Sequence, residues 1–263
     1  YHQRYSTSTF PQWWLAQPFR MLAHNGEINT LKGNLNWLKS HEIRMASGTF
    51  GDMAEDIKPI VPGGSSDSAA LDAVFEVMVR SGRSAPMVKT IMVPEAWSKA
   101  TTDLPKPWAD MYAYCNSIME PWDGQAALAM TDGRWVCGGL DRNGLRPMRY
   151  VVTGDNLLIA GSEVGMVPVD EASVREKGAL GPGQMIAVDI VGYAQDTSFR
   201  DMRAYDMLIQ AESGLCSVTG TPDEPVKVGV SIADVCTGMT AHAAILEALI
   251  ERGQTGRGRA IEI

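Results

Sequence analysis

The sequence has 263 residues, enough for one large domain or two small ones, and 45% of them are hydrophobic, as in an ordinary globular protein. Its net charge of -8 argues against nucleic acid as a partner, because such a surface needs clustered lysine and arginine. Four cysteines lie far apart with no CxxC pair, so we expect no metal site and reduced thiols in a cytoplasmic protein.

Neither the start of the chain nor its apolar runs suggest a membrane protein. The longest apolar runs, such as residues 156–160, are too short to cross a bilayer, and no secretory signal is recognisable. The first residue is Tyr1 rather than an initiator methionine. We therefore expect no membrane partner and a chain that is internal to a longer reading frame.

Two helices are predicted in the first third of the chain, after residues 1–30, which are rich in loop formers. One extends from Asn34 to about Met45, where apolar residues recur at helical spacing. The other begins at Ser66 or Asp67, either of which can cap it. Its apolar positions are Leu71, Val74, Phe75 and Met78.

Strands separated by turns are predicted from Gln125 onward. Gln125–Met130 and Trp135–Leu140 form a hairpin around an Asp-Gly turn, and Arg149–Val152 and Leu157–Gly161 form a second one. Met185–Asp189 is another short strand. Helices followed by an antiparallel meander predict an α+β fold, in which helix layers pack on sheets.

The character of the sequence changes after Asp189, where we place a boundary between domains 1–189 and 190–263. A helix is predicted over Ala204–Leu215, followed by a long amphipathic helix from about Ile232 to Arg252. Gly253 is the residue expected to end this long helix.

Four residues offer the groups needed to hold an amino acid and to stabilise negative charge on its side chain. Arg4 has a planar guanidinium for a carboxylate, and Asp67 has a carboxylate for an ammonium group. The Asn25 amide and the Gly26 backbone N–H are donors suited to an oxyanion. Each has an ordinary alternative: a solvated arginine, an Asn-Gly turn and a helix cap.

An ordered series of motifs over residues 1–189 resembles the glutamine amidotransferase type 2 domain of the glutamate synthase large subunit. The motifs are His2–Pro11, Ala23–Thr30, Pro62–Ala69, Glu120–Gly124, Leu140–Pro147 and Ser162–Gly165. Other class II amidotransferases share Asn-Gly-Glu and Ser-Asp but not the run Leu140–Pro147, so the resemblance is specific.

The resemblance implies a partial αββα sandwich of the N-terminal-nucleophile hydrolase type. In that family, Arg4 would hold the α-carboxylate of L-glutamine, Asp67 its amino group, and Asn25 with the Gly26 N–H would form the oxyanion hole. The remaining domains of glutamate synthase would be the partners of this domain. FMN and an iron–sulfur cluster would belong to those domains, and no cofactor is expected in this chain.

The same family uses an N-terminal cysteine as its nucleophile. Tyr1 stands first here, so the resemblance implies an enzyme fragment that is catalytically incomplete. Cys115 and Cys137 are interpreted as structural residues, and His24 as a packing or hydrogen-bonding residue. The tryptophans Trp13, Trp14 and Trp37 are expected in the core.

Residues 190–263 resemble a class III CoA-transferase of the formyl-CoA transferase type. The resemblance rests on Gly192–Asp196, Ala204–Ala211, Gly214–Gly220, Ile232–Asp234 and Thr255–Arg259. It implies that Asp234 acts as a nucleophile and that CoA is a possible ligand. The alternatives are that Asp234 only caps a helix, and that the chain is a non-functional fusion of two truncated enzymes.

Overall fold

The structure is a computed structural model. It describes residues 12–45, 49–96, 105–154, 157–163, 165–189, 193, 197–199, 202, 204–221 and 223–256. The chain forms two compact units. Unit 1 comprises residues 1–150, 160–168 and 177–187, and unit 2 comprises residues 151–159, 169–176 and 188–263. The domain boundary between residues 189 and 190 stays a prediction.

Among the described residues, unit 1 has four α-helices: α1 (Leu31–Arg44), α2 (Asp67–Arg80), α3 (Ala85–Met92) and α4 (Lys106–Ile118). The first two confirm the predicted helices, with α1 starting earlier than expected. The other two were not predicted. Each has a proline in its first turn, a position where the missing N–H costs no hydrogen bond and the fixed φ suits a helix.

Seven strands are present among the described residues: β1 (Leu22–Ile28), β2 (Gly124–Thr131), β3 (Trp135–Leu140), β4 (Arg149–Thr153), β5 (Leu158–Gly161), β6 (Val174–Ala179) and β7 (Met185–Asp189). One sheet has the order β1-β2-β3-β7 and the other the order β5-β4-β6. The strands β1, β2 and β3 pair antiparallel. The predicted α+β class and the strands of both predicted hairpins are confirmed.

The strand β1 corrects the prediction that residues 1–30 form loops. Its sequence is polar and contains Asn-Gly, a turn signal, and therefore lacks the alternation typical of a strand. The strand forms because its whole length pairs with β2, with Asn25 opposite Ala127 and Gly26 opposite Ala126. Tertiary pairing here outweighs local preference.

The core of unit 1 lies between α2, α3 and the four-stranded sheet. The side chains of Leu71, Val74 and Phe75 from α2 are almost fully buried, as are Val88 and Ile91 from α3. The sheet contributes Leu22, Ile28, Ala126, Leu128, Met130 and Cys137 to the same cluster. This core fixes β1 against α2.

The described part of unit 2 has three α-helices: α5 (Asp206–Glu212), α6 (Leu215–Thr219) and α7 (Ile232–Thr255). The helix predicted over Ala204–Leu215 is interrupted at Gly214, whose φ of +78° breaks the helical path. The prediction that Gly253 ends the long helix is wrong. The helix continues to Gly256, whose φ of +70° gives a left-handed C-terminal cap.

One stretch of the described helices, Ile232–Arg252 within α7, has the length and the mean hydropathy of 1.2 that a membrane-spanning helix needs. A core helix of a water-soluble protein passes the same test, so a single helix of this kind is weak evidence. It assigns no membrane location.

Candidate active site

The strand β1 carries Asn25 and Gly26, and α2 holds this strand near both ends. The Asp72 carboxylate accepts hydrogen bonds from the backbone N–H groups of Met21 and Leu22, both at 3.0 Å. These bonds satisfy donors at the start of an edge strand that would otherwise be unpaired. Burial of the Asp72 carboxyl raises its pKa, and the same N–H groups oppose that shift.

Gly26 has a conformation that other residues rarely adopt, with a φ of +150°. A Cβ at this position would overlap the backbone carbonyl group of Gln125 on β2 and crowd the His24 ring. The reason for glycine is therefore the closeness of the neighbouring strand, rather than free access to the N–H as the sequence suggested.

The Asn25 side chain reaches across to residue 162. Its Nδ2 donates to the Ser162 Oγ at 2.6 Å. Asn25 is half-buried and Ser162 is buried. Sequence reasoning did not find this contact, because the two residues are 137 positions apart.

Asp67 is the first residue of α2, but it is not the cap of that helix. The cap is Ser66, whose hydroxyl accepts from the Ala69 N–H at 3.1 Å. The Asp67 Oδ2 instead accepts from the Ile28 N–H of β1 at 2.9 Å. The carboxylate is therefore tied to the strand that carries Asn25 and Gly26, and the capping alternative does not apply to it.

His24 is 2% exposed and lies between α2 and β2. Its Nε2 is 3.2 Å from the Gln125 carbonyl oxygen, which can only accept, so Nε2 carries a proton. In the neutral ring, Nδ1 then accepts from the Ser68 hydroxyl at 2.8 Å. These contacts agree with the hydrogen-bonding role expected for His24.

A loop after β3 is organised by one buried carboxylate. Asp141, 1% exposed, accepts from the backbone N–H groups of Asn143, Leu145 and Arg146 at 2.8–3.0 Å. The Arg146 Nη2 lies 3.6 Å from the Glu163 carboxylate, next to Ser162. The Arg146 Nε is buried without a hydrogen-bond partner among the described residues.

Two of the four cysteines lie in unit 1, and both are buried. Burial raises the pKa of the Cys115 thiol and raises that of the Cys137 thiol to about 12. Both are therefore protonated near neutral pH, as expected of structural cysteines rather than of nucleophiles. All four cysteines are described, and none forms a disulfide.

Asp234 is an exposed residue in the first turn of α7, not a residue before the helix as predicted. Its carboxylate does not cap the helix. Asp206 takes that role, because its Oδ1 accepts from the Ala233 N–H at 2.9 Å. Gln210 steadies Asp206 through a hydrogen bond of 2.7 Å.

Several predicted residues are placed differently or not described. Arg4 and the motif around it lie outside the described residues, so the structure gives no position for the expected carboxylate-binding guanidinium. The expectation that Trp13, Trp14 and Trp37 belong to the core is wrong, since they are 89%, 49% and 56% exposed.

Other candidate features of the described residues lie away from these contacts. A cavity of about 670 Å³ in unit 1 is lined by Leu38 and His41 of α1, by Val74 and Met78 of α2 and by residues of several other segments, and none of the predicted site residues lines it. The described residues contain no group of three His, Cys, Asp or Glu side chains that could hold a metal ion.

Comparison with protein families assigns the larger part of the chain. Residues 1–198 match the class-II glutamine amidotransferases. Because this match covers more than half of the sequence, the chain belongs to that family, and the predicted N-terminal-nucleophile hydrolase type of fold follows from it. Residues 179–263 match CoA-transferase family III, in agreement with the second resemblance.

Curated relatives of the chain include glutamate synthases. The large chain of the NADPH-dependent glutamate synthase of Azospirillum brasilense is 52% identical over 98% of this chain and 18% of its own length. The ferredoxin-dependent glutamate synthase 1 of Arabidopsis thaliana is 51% identical over 73% of this chain and 12% of its own length. The chain thus spans less than one fifth of either relative.

A solved structure also resembles the chain. It is the glutamine phosphoribosylpyrophosphate amidotransferase from B. subtilis complexed with ADP and GMP. The two share 21% sequence identity with a TM-score of 0.39, over 72% of this chain and 32% of that one.

Proposed function

We propose that residues 1–189 are the glutamine-binding part of a glutamate synthase amidotransferase domain. In the complete enzyme this domain hydrolyses L-glutamine to L-glutamate and ammonia, and the ammonia is used for reductive transfer to 2-oxoglutarate. Family membership and the glutamate synthase relatives support this proposal. The FMN and the iron–sulfur cluster would lie in other domains of that enzyme.

The attachment of Asp67 to the strand of the oxyanion donors is the observation that carries the proposal. Asp67 is bonded to Ile28, two residues beyond Gly26 on the same strand. At the rise of a strand, two residues span about 7 Å, comparable to an extended glutamine between its amino group and its side-chain amide. Asp67 can therefore hold the ammonium group while Asn25 and Gly26 serve the amide carbonyl.

In this arrangement Arg4 would bind the α-carboxylate through two hydrogen bonds of its guanidinium. The Asn25 Nδ2 and the Gly26 N–H would donate to the oxygen of the side-chain amide. Negative charge develops on this oxygen when the amide carbon is attacked, so fixed donors lower the barrier. The catalytic cysteine would come from outside residues 1–189, because the two cysteines there, Cys115 and Cys137, are buried thiols with raised pKa.

The test is a calorimetric titration of the purified chain with L-glutamine. We expect saturable binding without release of L-glutamate. Asp67→Asn should weaken binding by about tenfold or more, because it removes a charged partner of the ammonium group. Asp52→Asn, the same change at an exposed residue, should have no effect. Absence of a heat of binding at millimolar L-glutamine would contradict the proposal. Release of L-glutamate would contradict the prediction that the chain lacks the catalytic nucleophile.

A second candidate function applies to residues 190–263. Asp234 presents an exposed carboxylate in the first turn of α7, where the helix dipole favours an anion. The Asp206 carboxylate caps this helix, so the Asp234 carboxylate is not used as a cap. The match to CoA-transferase family III supports a role as an acyl acceptor. Incubation with an acyl-CoA and mass spectrometry of the Asp234 peptide tests it. An unmodified peptide would contradict this second candidate.

A further inference from the structure

Two motifs have no part in the proposed binding of glutamine. They are the loop Leu140–Pro147, which follows β3, and the segment Ser162–Gly165, which follows β5. In the structure they meet through Arg146 and Glu163, and the second of them touches Asn25 through Ser162. The hydrogen bond between Asn25 and Ser162 therefore places the second motif beside the proposed oxyanion donors.

The Asn25 amide needs a fixed orientation to act as a donor. Rotation about the last side-chain bond of asparagine is broad, so an amide without a partner does not stay at one angle. A donor is effective only when its N–H stays aimed at the position of the oxyanion. The hydroxyl of Ser162 accepts one Nδ2 hydrogen at 2.6 Å and leaves the second hydrogen for a ligand.

Ser162 is itself held in place. It is 7% exposed, and the neighbouring Glu163 is 3.6 Å from the Arg146 guanidinium. The backbone of Arg146 is fixed by the carboxylate of Asp141 at 2.8 Å. A chain of contacts therefore leads from a buried carboxylate to the side chain of Asn25.

We propose that Ser162 is a positioning residue of the oxyanion hole, whose hydrogen bond holds the Asn25 amide in place with one Nδ2 hydrogen left for the substrate. This role rests on the proposed function, because it presumes that a substrate oxygen binds beside Asn25. Ser162 does not touch the substrate in this arrangement. It acts through Asn25 alone.

The first test observes the Asn25 amide directly by ¹H–¹⁵N spectroscopy of the complete chain, with the signals assigned by Asn25→Ala. Ser162→Ala should move both Nδ2 proton signals and speed their exchange with water, whereas Ser162→Thr, which keeps the hydroxyl, should restore them. Ser117→Ala removes an exposed hydroxyl on α4 and should leave them unchanged. Unchanged Asn25 signals in Ser162→Ala would overturn the proposal.

The second test compares the binding of L-glutamate with that of L-glutamine by calorimetry. The γ-carboxylate of L-glutamate places negative charge where the oxyanion would form, so its binding depends more on a fixed Asn25 amide donor. Ser162→Ala should weaken L-glutamate binding about two- to tenfold more than L-glutamine binding. Equal weakening of both ligands would show a purely structural role and overturn the proposal.

Failure of the proposed function would look different. In that case the unmodified chain would bind neither amino acid, and Asp67→Asn would cause no measurable change in binding. The Asn25 spectrum would still establish whether Ser162 fixes the amide. If the hydrogen bond between Asn25 and Ser162 is present but neither amino acid binds, the proposed glutamine site is overturned and the hydrogen bond is not.

Discussion

Gly26 shows how a single residue can be required by its surroundings rather than by its own chemistry. Its φ of +150° and the adjacent Gln125 carbonyl leave no room for a side chain. Asn-Gly usually signals a turn, so the sequence suggested a loop here. The requirement for glycine comes instead from β2, about a hundred residues away along the chain.

Gly26→Ala should destabilise the protein by about 2–4 kcal/mol, because the new Cβ forces β1 away from β2. Gly33→Ala is the matched control. Gly33 lies in α1 with open space at its Cβ position, so alanine there should stabilise by about 0.5–1 kcal/mol. The measurement is urea unfolding followed by far-ultraviolet circular dichroism. Equal midpoints of urea unfolding for Gly26→Ala and the unmodified chain would contradict the close approach of β2 to Gly26.

The residues of the candidate site could be named from sequence only in part. Asn25, Gly26 and Asp67 are predicted because their chemistry and the family motifs agree, and their site roles stay predictions. The partner of Asn25 could not be found, because nothing local links residue 25 to residue 162. The sequence allows Asp67 to be a cap or a ligand group, and the structure shows that Ser66 is the cap.

At the scale of elements, a buried lysine joins α3 to the sheet. The Lys89 side chain lies against Gly139 of β3, where a Cβ would come within 3.0 Å of its Cε. Its Nζ donates to the Gly183 carbonyl oxygen at 2.6 Å. Burial lowers the pKa of Lys89 to about 7, and the nearby carboxylates of Asp141 and Glu95 oppose this shift.

The free energy of unfolding should depend on pH because of Lys89. The Lys89 pKa is 10.5 in the unfolded chain and about 7 in the folded one, so between these values the unfolded state binds more protons. Its contribution to the free energy of unfolding should rise with pH by up to about 1.4 kcal/mol per unit across this window. This contribution of Lys89 to the free energy of unfolding should be lost again as the pH falls towards 7.

Lys89→Met keeps the length of the side chain and removes the titrating group, so it is the control for this prediction. The difference in the free energy of unfolding between the two proteins, measured in urea at pH 7 and pH 9, isolates the lysine. Parallel stability curves would mean that Lys89 is not buried as described.

Elements with strong periodicity were predictable, and those formed by distant pairing were not. The helix α2 buries Leu71, Val74 and Phe75 at helical spacing, and its prediction is confirmed. The strand β1 owes its form to β2 and α2, which no local pattern reports. The end of α7 was misplaced, because Gly253 lies within the helix and Gly256 ends it.

The whole molecule has two buried and two accessible thiols. Cys115 and Cys137 are 0% and 2% exposed in unit 1, whereas Cys216 is half-buried and Cys236 exposed in unit 2. Reaction with a thiol reagent at pH 8 should therefore modify Cys236 first and Cys216 next. Cys115 and Cys137 should react only after unfolding, because a buried, protonated thiol is a poor nucleophile.

The control for thiol labelling is Cys236→Ser, which should remove the fastest phase and leave the others. Peptide mapping of the modified protein identifies each site. Rapid labelling of Cys115 or Cys137 in the folded chain would contradict the packing of unit 1.

The register of β1 limits how the length of this region can vary. Successive residues of a strand point to opposite faces, so His24 packs on α2 while Asn25 reaches towards Ser162. Inserting or deleting one residue within Leu22–Ile28 would exchange the faces of the residues beyond it. One residue inserted before His24 would place its imidazole at the position of the Asn25 amide, and one residue deleted there would place the Asn25 amide in the core. The alternation of faces along β1 therefore fixes the length of the chain within the strand.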